Sequence, residues 1–393
     1  MENIIYTNDL SYEVVYPHYR NVFNNYTNLL EFSEQLKNFN KSRLLIYRSS
    51  MPFVTEMNYR RVLANIFIFV SGGGFCSIVD SIKDERFNMI LRSVRCLGLA
   101  DCIDLELNGD EFVLTFNTIK IDNRRLVYNN IVNGLETSLA VKQIAQSIEE
   151  GKSFSLVRVG HCEVKFVAYN YMYGQTDLTA TCKMQWGVES ICEDYFQFVR
   201  QGLIESISKS TYVGFNLIGN ISSQPKKILE NSVTKALADF SLINGNQIRI
   251  SPNFHWELAL SKEFFFSLKF AKRIVLITSR VELQSTFKNM YPNIDIVVIP
   301  VPGEYKIDGA YDISDRFLSF KRIDEYISKI SSQGVVFLIG AGVAGKRFIS
   351  TAIKNNSTAL DLGSALDAWA GVDSRGDGFK GKYKNFVDNL SLS

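Results

Sequence analysis

The run Val335-Val-Phe-Leu-Ile339, followed by Gly340-Ala-Gly342-Val-Ala-Gly345-Lys346, decides the fold of this 393-residue chain. Five consecutive apolar residues ending in glycines read as a buried strand. The spacing of Phe348, Ile349, Ala352 and Ile353 reads as the helix that follows. A second strand, Thr358–Leu362, completes a βαβ unit. Working outward, short apolar runs at Ser155–Val159, Tyr212–Phe215, Arg273–Ile277 and Ile294–Ile299 alternate with helical patterns, the first of them Ser138–Glu149. Strands spaced by helices predict an α/β class protein with a mostly parallel sheet flanked by helices. Ligands of such sheets bind beyond the carboxyl ends of the strands, so polar residues just after each strand are where chemistry is expected.

Residues 1–135 read differently from residues 136–393. They hold an amphipathic helical pattern (Leu29, Leu30, Phe32, Leu36, Phe39) and a strand at Leu44–Tyr47. The stretch Arg61–Val70 runs into Ser71-Gly72-Gly73-Gly74, a predicted loop. Cys102–Leu107, Glu111–Phe116 and Thr118–Ile121 alternate apolar and polar residues, and Asn108-Gly109 predicts a hairpin between the first two. The expectation is a smaller N-terminal α+β accessory domain over 1–135, with 136–393 forming the larger α/β domain.

Composition narrows the function. With 46% hydrophobic and 21% charged residues, the chain can bury enough apolar surface to fold. Its 43 basic residues nearly balance 41 acidic ones, and no basic block stands out, which argues against nucleic acid as a partner. No run reaches the ~18 apolar residues of a membrane span. The start MENIIYTNDLSYE lacks the pattern of a signal peptide, and the six cysteines (Cys76, Cys96, Cys102, Cys162, Cys182, Cys192) show no C-x-x-C pair. Reduced thiols and a cytoplasmic location are expected.

Four constellations carry candidate chemistry. After the strand Ser155–Val159 comes Arg158-Val-Gly160-His161-Cys162-Glu163, where Gly160 permits a sharp turn and His161 and Glu163 are potential ligands of a divalent metal. The glycine loop reads G-x-G-x-x-G through Gly340, Gly342 and Gly345, and Asp361 follows Gly340 by 21 positions, as in a dinucleotide fingerprint. That spacing keeps an NAD(P)-dependent oxidoreductase as an alternative, although dinucleotide fingerprints usually open a domain and here 48 residues remain after Gly345. The loop also nearly spells a P-loop, but Arg347 stands where a magnesium-binding Ser or Thr is required. Beyond Asp361 lie Ser364, Asp367, Trp369 and Arg375, of which Ser364 reads equally as a helix cap. Finally, His255 in Asn253-Phe-His255-Trp256-Glu257 follows Ser251-Pro252 and could move a proton near neutral pH.

Taken together, these segments resemble the bacterial glycosyltransferases of the GT-D fold. That family carries R-x-G-D-G-E after an early strand, matched by Arg158 to Glu163, a late Gly-Ala-Gly turn matched by Val335–Lys346, and a segment like A-L-D-I-G-S-x-x-D-x-W-A-G matched by Ala359–Gly371. Ser279-Arg280 and Ile299-Pro300-Val-Pro302 also look similar, so the resemblance covers roughly 140–380 and leaves 1–135 outside. It implies a Rossmann-like GT-D domain that moves a sugar from a nucleotide diphosphate sugar, a UDP-sugar in the first instance, to a hydroxyl of a glycan or glycoprotein in bacterial glycan biosynthesis. The implied metal site, for Mn²⁺ or Mg²⁺, is His161 and Glu163. The candidate catalytic residues are Glu163 and, for the base that accepts the hydroxyl proton, His255 or Asp367. Donor binding is implied for Arg158, Gly160, Arg280, Gly340, Gly342, Asp361, Trp369 and Arg375. The sequence departs from the family where His161 replaces the first acid of Asp-x-Glu and Cys162 replaces its glycine. A lost carboxylate weakens a metal site, which leaves open a metal-independent enzyme or a degenerate binding module, with residues 1–135 recruiting a protein partner.

Overall fold

The computed structural model describes residues 3–6, 20–21, 43–47, 56–71, 75–81, 85–97, 99, 103–116, 135–215, 232–243, 247–303, 305, 312–374 and 379–390. The helical pattern over Leu29–Phe39, the strand candidate Thr118–Ile121, Cys102 and Arg375 lie outside these residues. The chain divides into two compact units, one of 1–132, 168–177 and 216–236, the other of 133–167, 178–215 and 237–393.

The first unit holds a six-stranded sheet made of β1 (Asn3–Tyr6), β2 (Arg20–Asn21), β3 (Arg43–Tyr47), β4 (Phe75–Ser81), β5 (Ile103–Asn108) and β6 (Glu111–Phe116), in the order β2-β1-β3-β4-β6-β5. The pairs β1–β2, β1–β3 and β3–β4 are parallel, whereas β4–β6 and β5–β6 are antiparallel. The expected hairpin is present. Asn108 pairs with Glu111, and Gly109 takes a φ of 62°, a left-handed conformation that glycine adopts without steric cost. The apolar stretch Arg61–Val70 lies in the helix Glu56–Ser71, whose Val62, Leu63, Ile66, Phe67 and Val70 recur at helical spacing and pack with Ile46, Cys76, Ile78, Leu114 and Phe116, while the three glycines that follow lie outside the described residues. Sequence reading did not anticipate β4, since Phe75-Cys-Ser-Ile-Val-Asp-Ser mixes polar and apolar residues without clear alternation.

The second unit is built on a seven-stranded sheet: β7 (Phe154–Arg158), β8 (Tyr212–Gly214), β9 (Ile248–Ile250), β10 (Arg273–Thr278), β11 (Asp295–Pro300), β12 (Val335–Gly340) and β13 (Thr358–Asp361), in the order β11-β10-β12-β13-β7-β8-β9. Every pairing is parallel. Parallel sheets are covered on both faces, which is why β10 and β12 are near-continuous apolar runs instead of alternating ones and why all four residues of β13 are buried. Successive side chains point to opposite faces. Leu156, Leu276, Leu338 and Leu360 enter a core shared with the helices Thr137–Glu149, Lys262–Ser267 and Leu283–Met290. Elsewhere, the helices Glu193–Lys209, Ile313–Ile330 and Arg347–Ile353 pack on one another, with Phe320 stacked on Phe348. The strands expected from apolar runs all form. The seventh, β9, is three residues long with Arg249 at its centre, too short and too polar to signal itself. Among the described residues, no helix is long and apolar enough to cross a membrane.

Candidate active site

Because all seven strands run the same way, their carboxyl ends meet along one edge, and the loops that leave them shape a cleft of about 420 Å³. Arg158, Gly160, His161 and Glu163 after β7 line it, as do Arg280 after β10, Gly340, Gly342 and Lys346 after β12, and Asp367 beyond β13. Residues singled out after four separate strands therefore share one opening. The cleft is cationic: Arg158, Arg280, Arg316 and Lys346 line it against Glu163 and Asp367.

Beneath it lies a charged floor. Asp361 ends β13 with 2% of its surface exposed. It accepts a hydrogen bond from the backbone N–H of Arg158 at 3.0 Å, faces Arg158 Nη2 at 3.3 Å, and is ion-paired with Lys346 Nζ. Burial alone would push its carboxyl up, but Arg158 and Lys346 outweigh that and hold it at about 2. Asp361 is thus the anchor of two cations. Committed to Arg158 and Lys346, it is not placed to hold a ribose hydroxyl, as the dinucleotide reading required. His255 is also buried, on the helix Phe254–Leu258, with Arg158 Nη1 at 3.0 Å from each ring nitrogen. Burial, then the Arg158 charge, drives its pKa down to about 2. An imidazole that stays neutral throughout the physiological range and sits under Arg158 is a support for that arginine and a poor base.

Trp369 does not reach the cleft either. It is 1% exposed, its indole N–H donates to the Ala259 carbonyl at 3.1 Å, and its ring packs edge-on against Phe265. The expectation of a donor-binding tryptophan gives way to a core residue, since the short helix Ala365–Trp369 turns Asp367 toward the cleft and Trp369 into the sheet's packing.

Two glycines set the approach of charge to the cleft. Gly342 has a φ of 62° and carries the β12 turn past Gln185. Gly363 has a φ of 51°, and a Cβ there would lie 2.1 Å from Arg158 Nη2, so its bare backbone is what lets the guanidinium lie where it does. Gly340 serves close packing, as a Cβ on it would meet the Gly363 carbonyl at 2.8 Å.

Glu163 sits in the first turn of the helix His161–Val167 and accepts the Gly160 N–H at 2.9 Å through Oε2, half of a capping box. Its Oε1 is 3.9 Å from Lys346 Nζ. Asp367 pairs with Arg280 Nε at 2.7 Å.

The donor set does not fit a divalent ion. Among the described residues no three His, Cys, Asp or Glu side chains converge as a metal-binding group. The two acids nearest the β7 turn, Glu163 and Asp361, already share the Lys346 ammonium. A divalent cation set between them would meet the Lys346 ammonium at close range, and the Asp361 charge is already balanced by Lys346 and Arg158.

Lys346 is the chief residue that sequence reading passed over. It closes the near P-loop that Arg347 breaks, so no intact motif marks it. Arg316, buried at 2% and donating to the Gly303 carbonyl at 3.0 Å, comes from the helix Ile313–Ile330 and had no local signal.

A model of the GT-D fold-like domain matches residues 135–369, which span β7 to the helix Ala365–Trp369 and all of the cleft residues named above. The chain belongs to the GT-D-like family. Two solved structures are also similar. A selenomethionine-substituted structure of domain of unknown function 1792 is 13% identical, with 60% of this chain and 79% of that one covered, at a TM-score of 0.38. A second, described as the highly conserved domain of unknown function 1792 with a distinct glycosyltransferase fold, is 14% identical, with 61% and 81% covered, at a TM-score of 0.38. No curated protein matches the chain.

Proposed function

We propose that this GT-D-like protein is a glycosyltransferase that moves a sugar from a nucleotide diphosphate sugar, first among them a UDP-sugar, to a hydroxyl of a glycan or glycoprotein. The observation that carries the reading is the cationic cleft at the carboxyl ends of a parallel sheet inside the family span. A departing diphosphate is a concentrated anion, and preorganised arginines and a lysine stabilise the charge that develops as it leaves. In the transfer step the acceptor oxygen bonds to the anomeric carbon. The bond from that carbon to the diphosphate oxygen breaks with its electron pair staying on the diphosphate, and the acceptor proton passes to a carboxylate. Asp367 is the group assigned to take that proton, since it lines the cleft and His255 is buried and neutral. Arg158 and Arg280 bind the diphosphate, and Glu163 holds the Gly160 turn beside Lys346.

The experiment is to incubate the full chain with UDP-, GDP- and CMP-sugars and a mixed glycan acceptor, and to follow release of the free nucleotide. Acceptor-dependent release of UDP is expected, and Asp367→Asn should remove most of it with the fold intact. Release unaffected by that substitution, or none with any donor, contradicts the proposal.

A further inference from the structure

We infer that Lys346 supplies, as an ammonium fixed in the fold, the positive charge that a divalent ion would bring to the diphosphate, so that the site binds a nucleoside diphosphate without metal. This rests on the transferase reading and deepens it. The lysine side chain is 6% exposed, yet it lines the cleft. Its backbone is fixed from both sides: the glycine turn precedes it, and the Lys346 carbonyl accepts the Ser206 hydroxyl at 2.5 Å. Asp361, kept ionised below it, balances the charge and holds Nζ in place.

An ammonium has three N–H donors. One is used on Asp361, and Glu163 at 3.9 Å is beyond hydrogen-bond range. The remaining donors are available where Gly342 and Arg158 also open onto the cleft. A buried ammonium with unused donors at a cavity wall favours an anion with several acceptor oxygens, and it repels a metal ion from the place where Glu163 and Asp361 could otherwise have shared one.

The test is calorimetric titration of the full chain with UDP, GDP and inorganic pyrophosphate, in EDTA and again with Mn²⁺. Affinity in EDTA within about twofold of that in Mn²⁺ is expected. Lys346→Met should weaken binding by roughly tenfold or more, the loss of one charge-assisted hydrogen bond, while Lys346→Arg stays close to the wild type. If Lys346→Met alone fails to fold because Asp361 loses a partner, the double variant Lys346→Met/Asp361→Asn removes both charges and should show the same loss. Binding seen in Mn²⁺ and abolished by EDTA would overturn this inference and leave the transferase reading standing. Unchanged affinity in the Lys346→Met chain, or in the double variant, would overturn it as well. No binding of any of the three probes in either condition would overturn the transferase reading and this inference with it.

Discussion

The two units treat buried charge in opposite ways. In the first, Arg60 and Asp177 meet as a closed pair: Nη1 and Nη2 donate to the two carboxylate oxygens at 2.8 and 2.6 Å, Nη2 also reaches the Met172 carbonyl at 3.2 Å, and the side chains are 5% and 3% exposed. In the second, Asp361 and Lys346 lie at comparable depth while Arg158 is 18% exposed, and both cations border a cleft. Fork-to-fork pairing leaves little for a ligand to use, and such a pair fixes structure. A group whose cations keep donors at an opening stays ready for an anion. Sheet topology underlies the difference. Seven parallel strands send all their carboxyl-end loops to one edge, while the antiparallel β4-β6-β5 portion of the other sheet divides its loops between two.

If the two groups differ in this way, substitutions in them separate stability from ligand binding. The largest effect is expected at Asp367→Asn, with turnover falling by about 10²–10⁴-fold as for loss of a general base, while calorimetry still finds UDP bound. Equal loss of binding and turnover would make Asp367 a donor-binding residue instead. Next is Asp177→Ala in the first unit, which strands a buried guanidinium. Chemical denaturation should record a loss of about 3–5 kcal/mol, with UDP affinity of the folded fraction unchanged. Gly363→Ala should act the other way round. Its methyl displaces Arg158, so UDP affinity should drop by about tenfold with a modest change in melting temperature.

The smallest effect sharpens the role of His255. Its folded pKa of about 2 lies below the ordinary 6.5, so the unfolded chain takes up a proton that the native one refuses. The resulting penalty is nearly absent at pH 7, and it grows as pH falls through 6.5, reaching about 2 kcal/mol at pH 5. Asp361 adds to the acid lability lower down, because its stabilisation is present above 3.8 and is lost as pH falls toward about 2. Denaturation curves for His255→Gln should therefore show a flatter loss of stability between pH 7 and 5 than the wild type. Parallel curves would mean that His255 is not buried neutral.

Much of the second unit was legible in the sequence because a parallel sheet writes its strands as unbroken apolar runs, and because the residues that end those strands must reach one edge. Arg158, Gly160, Glu163, Arg280, Gly342 and Asp367 could be placed on that logic. What spacing does not encode is the direction of a side chain at the strand end. Asp361 and Asp367 look alike in the sequence, yet one is the floor and the other the wall. Trp369 lies two residues past Asp367, and the single helical turn of Ala365–Trp369 sends it into the core. Lys346 was hidden for a different reason, since its charge matters through a contact with Asp361 fifteen positions away and through no motif of its own.

The most direct measurement is the thermal stabilisation of the full chain by UDP, GDP, CMP, NAD⁺ and NADP⁺, each in EDTA. A ligand at 100 times its dissociation constant adds about 2.7 kcal/mol, enough for a clear shift in melting temperature. A shift with the nucleoside diphosphates, UDP foremost, is expected. A shift with NAD⁺ or NADP⁺ alone would contradict the transferase reading.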